Sequence, residues 1–220
     1  MTVPTTTAPT NSTAPATTIP AAHLLEEGDH GPAVTALQSR LAQLGYWVGA
    51  IDGYFGDSTQ QAVYALQKAA AISADGTVGP QTTAALGRGI LPHPRSTSGY
   101  VIEVDLSTDL LMFVDSGKSQ YVLNTSTGGG YTYHDDGVTA LAVTPQGHFH
   151  IYRQTDAMVV SSLGQLWRPK FFYGGFAIHG DSDVPPEPVS HGCIRVSDEA
   201  IDWIWSQNLA PVGTAVRVYR

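Results

Sequence analysis

The chain has a single cysteine, Cys193, set in the run Ser190-His191-Gly192-Cys193-Ile194-Arg195-Val196, with a second histidine upstream in His179-Gly180. A free thiol is only a few per cent ionised at neutral pH, so a nucleophilic cysteine needs a base or a positive charge beside it. His179 suits that base. It falls at the end of an expected strand, and the chain from 179 to 193 is long enough to loop back and set an imidazole against the sulfur. Gly192 lets the backbone come close before the thiol. The amides of Gly192 and Cys193 offer donors to an oxyanion, the contribution that usually dominates acyl transfer. The other ring nitrogen of His179 must be held if the ring is to act as a base. Gly180 has no side chain, so a backbone carbonyl is the expected partner. Arg195, two residues past the thiol, can bind a substrate carboxylate.

Two other readings compete with this one. Two imidazoles and a thiolate from His179, His191 and Cys193 are zinc-type donors, but the sequence offers no obvious fourth ligand, so no metal and no cofactor are expected. A protein that only binds, with Cys193 inert, is the non-enzymatic alternative, and the thiol's alkylation rate against pH separates the two. His23, His30, His93, His134, His148 and His150 are read as ordinary polar residues.

The elements that must carry these residues fall into two parts. Residues 1–22 carry no charged side chain and are rich in Thr, Pro and Ala, which reads as a disordered tether. Residues 23–91 are helical and internally repeated. Pro32 starts a helix with Val34, Leu37, Leu41 and Leu44 on one stripe and Gly45 at its exit. Asp52-Gly53-Tyr54-Phe55-Gly56 recurs as Asp75-Gly76-Thr77-Val78-Gly79, and each copy leads into a further helix. Ser58 with Gln61 reads as a capping box for the second helix, over the stripe Ala62, Val63, Leu66 and Ala69. The third runs from Pro80 to a stop at Gly87. Tyr46, Trp47 and Tyr54 are either core or exposed rings able to stack on sugars.

Residues 92–99, with Pro92 and Pro94, read as a linker. From residue 100 the pattern is β-rich. Strands are expected around Ile102–Leu106, Leu110–Val114, Gln120–Asn124, Gly147–Arg153, Gly175–His179 and Thr214–Tyr219, with one helix over Asp198–Gln207. Trp167, Phe171, Phe172 and Tyr173 read as core, with a substrate lid as the alternative.

Composition narrows the class. With 11 Lys and Arg against 19 Asp and Glu, the net charge of −8 argues against nucleic acid as a partner. No apolar run is long enough for a membrane-spanning helix, and no signal segment is visible. One cysteine excludes an internal disulfide.

Two stretches resemble known families. Gly31, Val34, Leu37, Gln38, Leu41, Leu44, Gly45 and Tyr46, followed by D-G-x-F-G, are similar to small three-helix peptidoglycan-binding domains. His179-Gly180, a loop, then S-H-G-C-x-R resembles the L,D-transpeptidase catalytic domain, as does Thr144-Pro145-Gln146-Gly147 before a strand. The loop between His179 and Ser190 holds ten residues, shorter than in many relatives. The resemblance implies a small all-α module followed by a mainly β catalytic domain at 100–220, in an extracytoplasmic wall enzyme. It makes Cys193 the nucleophile and His179 the general base, with Ser190, His191 and Gly192 shaping the oxyanion and substrate site, joined by Gly180 and Arg195. The implied reaction is acylation by a peptidoglycan tetrapeptide stem, release of D-Ala and 3→3 cross-linking, without metal. Peptidoglycan stems and glycan are the implied partners, and carbapenems the implied inhibitors. Water as acceptor would give an L,D-carboxypeptidase, and a protein lysine or free D-amino acid an anchoring or exchange enzyme.

Overall fold

A computed structural model describes residues 24–220; the tether at 1–22 and His23 lie outside the described residues. Four helices occur among the described residues, three before residue 100 and one in the β-rich part. The first, α1 (Pro32–Gln43), buries Val34, Leu37 and Leu41 and has proline in its first turn. The second, α2 (Asp57–Ala69), starts one residue before the expected cap: Gly56 is the N-cap and no side chain caps it. The capping-box reading of Ser58 and Gln61 is therefore corrected, because Gln61 is drawn into a tertiary contact described below. The third, α3 (Pro80–Arg88), ends on Gly89, whose φ of 66° supplies the left-handed exit expected of Gly87.

The repeated D-G turns have one physical cause, a buried glutamine at the hub of each. Gln38 Nε2 donates to Asp52 Oδ1 (2.9 Å), the Tyr54 carbonyl (3.0 Å) and Thr59 Oγ1 (3.0 Å), while its Oε1 accepts the Gly53 amide at 2.9 Å. Gln67 repeats the pattern with Asp75 (2.7 Å), Thr77 (3.0 Å), Thr82 (3.1 Å) and the Gly76 amide (3.0 Å). Gly53 and Gly76 sit at φ 77° and 76°, where a β-carbon is disfavoured. Each amide thus ties three groups of its turn to a hydroxyl of the following helix, and the buried polar side chain is kept because both its donor and its acceptor ends are satisfied.

The β-rich part contains two five-stranded sheets and a hairpin. The first sheet runs β3 (Lys118–Asn124), β2 (Leu110–Asp115), β1 (Tyr100–Asp105), β12 (Ala215–Tyr219), β6 (Gly147–His150). The second runs β11 (Ile194–Ser197), β10 (Phe176–Asp181), β9 (Gly164–Tyr173), β7 (Arg153–Gln154), with β8 (Met158–Ser161) pairing β9. The hairpin is β4 (Thr132–Asp135) and β5 (Val138–Leu141). The single strand expected over 147–153 is split, because the chain changes sheets at Ile151 and Tyr152.

The first sheet is covered on both faces. Leu110, Met112 and Val114 join the core formed with α1 and α2, while Leu111 and Phe113 join Ile178, Ile194 and Val196 of the second sheet and Ile201 and Ile204 of α4 (Asp198–Ser206). This explains why β2 is an unbroken apolar run rather than an alternating one. Tyr46 and Trp47 belong to these cores, so of the three aromatics considered for sugar stacking only Tyr54, 53% exposed, is on the surface.

Residues 92–99 are fixed rather than loose where they meet the sheet. Glu103, fully buried in β1, accepts the amides of Arg95 (2.8 Å) and Ser96 (2.5 Å) and the Tyr219 hydroxyl (2.9 Å). Burial raises its carboxyl pKa, but these bonds outweigh it and hold the group below the usual carboxylate range. Lys68 of α2 donates to the carbonyls of Asp109 (3.1 Å) and Thr125 (3.0 Å), and burial pulls its ammonium down to about 8. Gln61 Nε2 donates to the Val184 carbonyl (3.1 Å), and its Oε1 accepts from Asn124 Nδ2 (2.7 Å). The helical region therefore bonds directly to the loop between β10 and residue 190.

Candidate active site

The site is built on two neighbouring parallel strands. In the β10–β11 register Ile178 faces Ile194, His179 faces Arg195 and Asp181 faces Ser197. Side chains alternate along each strand, so His179, Asp181 and Arg195 share a face, and Cys193, just before β11, projects to that same side. All four line one cleft of about 420 Å³, together with Ser190 and His191. Gly180 points the other way. A β-carbon there would lie 2.6 Å from Asp198 Oδ1 and from Ile201 Cγ2, so this glycine admits α4 and is not part of the cleft wall. The expected substrate-binding role of Gly180 is corrected on that ground: alternation sends it to the helix side.

Gly180 serves His179 through its carbonyl, which lies 2.7 Å from Nδ1. A carbonyl only accepts, so the proton resides on Nδ1 and Nε2 keeps its lone pair. The imidazole is 4% exposed, and burial pushes it below its usual range, against the opposing pull of the Gly180 bond and Asp181. Burial pushes the Cys193 thiol up, with the Ala177 backbone and Arg195 pulling the other way. Both shifts run toward the uncharged forms of imidazole and thiol.

The turn that presents the thiol is held from inside. Ser190 Oγ donates to the Cys193 carbonyl (2.6 Å) and accepts the Gly192 amide (2.9 Å). Gly192 has φ 134°, and a β-carbon there would meet the Phe176 ring at 2.5 Å and the Val143 carbonyl at 2.7 Å. Thr144 Oγ1 donates to the Gly192 carbonyl and accepts the Gly128 amide, each at 2.9 Å. The Gly192 amide is thus committed to Ser190 and is not free for an oxyanion, which corrects the pairing of donors expected from the sequence. Thr144, which the sequence marked within Thr144-Pro145-Gln146-Gly147 without giving it a role, enters the site as a support.

Arg195 Nε lies 3.2 Å from Asp181 Oδ2. Its backbone is pinned by the Ser126 exchange (3.0 and 3.2 Å) and by Thr125 Oγ1, which donates to its carbonyl at 2.6 Å. His191 lines the cleft and takes the rings of Tyr131 and Tyr133 edge-on at 5.5 and 4.8 Å.

Two hairpins that sequence reading missed wall the cleft. Tyr133 comes from β4, and Ser161 to Leu166 come from the β8–β9 turn. Their tips meet where Ser162 Oγ donates to Asp135 Oδ2 at 2.8 Å. Asp136-Gly137 between β4 and β5 takes φ 47° and 77°, a D-G hairpin turn that was available as a signal. Of the aromatics weighed as lid or core, Phe172 lies in the main core and Phe171 packs with Leu166 and Ala177 against Cys193. Trp167 Nε1 donates to Asp202 at 2.8 Å, and Tyr173 is exposed.

Among the described residues no group of three or more His, Cys, Asp and Glu side chains is placed to hold a metal ion. No described helix is long and apolar enough to cross a membrane.

Comparison with known proteins matches both regions. The family model of the L,D-transpeptidase catalytic domain covers residues 99–218, and that of a peptidoglycan binding domain covers residues 30–86. The L,D-transpeptidase of Xylanimonas cellulosilytica DSM 15894 superposes with a TM-score of 0.88 at 49% identity, over 91% of this chain and 99% of that one. The L,D-transpeptidase of Stackebrandtia nassauensis shares the fold at a TM-score of 0.52 and 21% identity, over 91% and 96%. Among curated sequences, the N-acetylmuramoyl-L-alanine amidase CwlM of Mycobacterium tuberculosis is 40% identical over 57 residues. That match covers 26% of this chain, which spans 14% of the relative's length.

Proposed function

The chain belongs to the L,D-transpeptidase catalytic domain family, and from that premise we propose that Cys193 is a nucleophile acylated by a peptidoglycan tetrapeptide stem. The observation that carries the reading is the shared cleft. A partly accessible thiol and a buried imidazole with a bare Nε2 line it together, on one face of two adjacent strands. His179 Nε2 takes the thiol proton as sulfur attacks the carbonyl between the L-centre of diaminopimelate and the terminal D-Ala. The C–N bond breaks, the same proton passes to the departing amine, and D-Ala leaves. The thioester keeps the energy of the cleaved amide. A second stem's side-chain amine then attacks it, its proton returns through His179 to sulfur, and a 3→3 cross-link forms.

Shifts that disfavour both charged forms suit this order, in which proton transfer accompanies attack rather than preceding it. With the Gly192 amide bonded to Ser190, the Cys193 amide is the backbone donor left to meet the oxyanion. A carbapenem is expected to form the same kind of adduct on Cys193. The helical region at 23–91 would hold peptidoglycan, with exposed Tyr54 beside the groove lined by His30, Thr35, Ser39 and Asp52 as its stacking ring. On this reading the protein works outside the cytoplasmic membrane, at the wall.

The test incubates the protein and its Cys193→Ala variant with disaccharide tetrapeptide and follows products by mass spectrometry. Cross-linked dimer from the unaltered protein alone supports the reading. Tripeptide alone redirects it to a carboxypeptidase, and no product from either protein removes it.

A further inference from the structure

Two guanidinium groups line the cleft, and they are not equivalent. Arg195 is compensated by Asp181 at 3.2 Å, with both side chains 20% exposed. Arg153, at the start of β7, lies over the face of Phe171, 3.7 Å from the ring centroid. Among the described residues no carboxylate pairs with it and no oxygen accepts a hydrogen bond from it. Arg153 is exposed while it lines the cleft, so its free donors stand open to an anionic group that enters there.

Stacking on an aromatic face fixes the plane of a guanidinium and leaves its N–H donors open at the edge, the geometry that forks a carboxylate. Phe171 also belongs to the small apolar cluster against which Cys193 packs, so the cation and the sulfur sit on the same part of the cleft wall. We propose that Arg153, held on Phe171, is a carboxylate-binding subsite of the cleft and recognises a free carboxylate of the donor stem. The assignment rests on the stem-peptide reading above. It moves carboxylate recognition away from Arg195, whose charge is already met within the protein. Of the stem's carboxylates, the two nearest the scissile bond are those of the terminal D-Ala and of the D-centre of diaminopimelate.

The experiment measures tetrapeptide binding to Cys193→Ala and to Cys193→Ala/Arg153→Gln by calorimetry, so that no turnover intervenes. Loss of a charge-assisted fork is expected to weaken binding by about tenfold to a hundredfold. Arg153→Lys recovers only part, since it keeps the charge without the fork. Repeating the titrations with the D-Ala amide and with the diaminopimelate amide identifies the source: the amidation that weakens binding only when Arg153 is present marks the recognised carboxylate. Equal affinities with and without Arg153 overturn the proposal. If Cys193→Ala binds no stem, the stem reading fails separately, and the subsite is judged by alkylation of Cys193 in the unaltered background. Arg153→Gln should then lower the iodoacetate rate severalfold relative to neutral iodoacetamide, and an unchanged ratio sinks the subsite.

Discussion

Removing the Ser190 hydroxyl strikes the turn that presents the thiol at its centre. Ser190 is 1% exposed, and its oxygen serves both the Cys193 carbonyl and the Gly192 amide. Ser190→Ala leaves both without a partner, at a cost of about 1–3 kcal/mol for each group that stays buried. Water cannot easily repair the loss, because the β-carbon space at Gly192 is already occupied by Phe176 and Val143. We expect a total of about 2–4 kcal/mol, allowing for partial relaxation. Thr144→Val acts on the same turn by freeing the Gly192 carbonyl and the Gly128 amide. Because both side chains brace Gly192, one at its amide and the other at its carbonyl, their effects should couple by about 0.5 kcal/mol or more. Urea unfolding of the two single variants and the double variant gives all three numbers, and iodoacetamide labelling of Cys193 reports the turn itself. Single effects under about 0.5 kcal/mol that add without coupling would refute the idea that this network holds the site.

Gly180→Ala should cost about 1–3 kcal/mol by forcing α4 away from β10, since its methyl would lie within 2.9 Å of Asp198, Ile201 and Trp167; thermal unfolding checks it. Gln61→Leu should free the 182–190 loop from the helical region, read as faster amide exchange at Val189 and Ser190 with exchange in β2 unchanged; equal exchange would mean the loop needs no such hold. For pH, the folded His179 imidazole titrates below its unfolded value, so the unfolded chain binds the extra proton first. Its contribution to stability is full above the unfolded pKa and is lost as pH falls through that value toward the folded one. His179→Gln should therefore flatten the acid limb of the stability curve, and an unchanged limb would place the shift elsewhere.

What the sequence disclosed followed how local the cause was. Cys193, Ser190 and Gly192 could be read together because one tight turn contains them, and the partner of His179 was inferable because the adjacent carbonyl was the available acceptor. Gly180 was misread because strand alternation sends neighbours 179 and 180 to opposite faces, and one of those faces is filled by a helix distant in sequence. The hairpins that wall the cleft escaped because β4, β5 and β8 are short and partly exposed, with little apolar patterning, although Asp136-Gly137 marked one turn. Tyr46 and Trp47 stayed open between core and ligand because nothing local says that they pack into the cores. The glutamine hubs were hidden too: the repeated D-G text was plain, but Gln38 and Gln67 reach their turns only once the helices are folded.

The central claim is that the His179 ring activates the Cys193 sulfur, and the pH dependence of Cys193 acylation by a carbapenem, followed by intact protein mass, tests it most directly. Unaltered protein should acylate at neutral pH with a rate that falls only as His179 becomes protonated, below the usual imidazole range. His179→Gln should acylate slowly and accelerate steadily with pH toward the raised thiol pKa. Coincident profiles for the two proteins, or an adduct on any residue other than Cys193, would contradict the account.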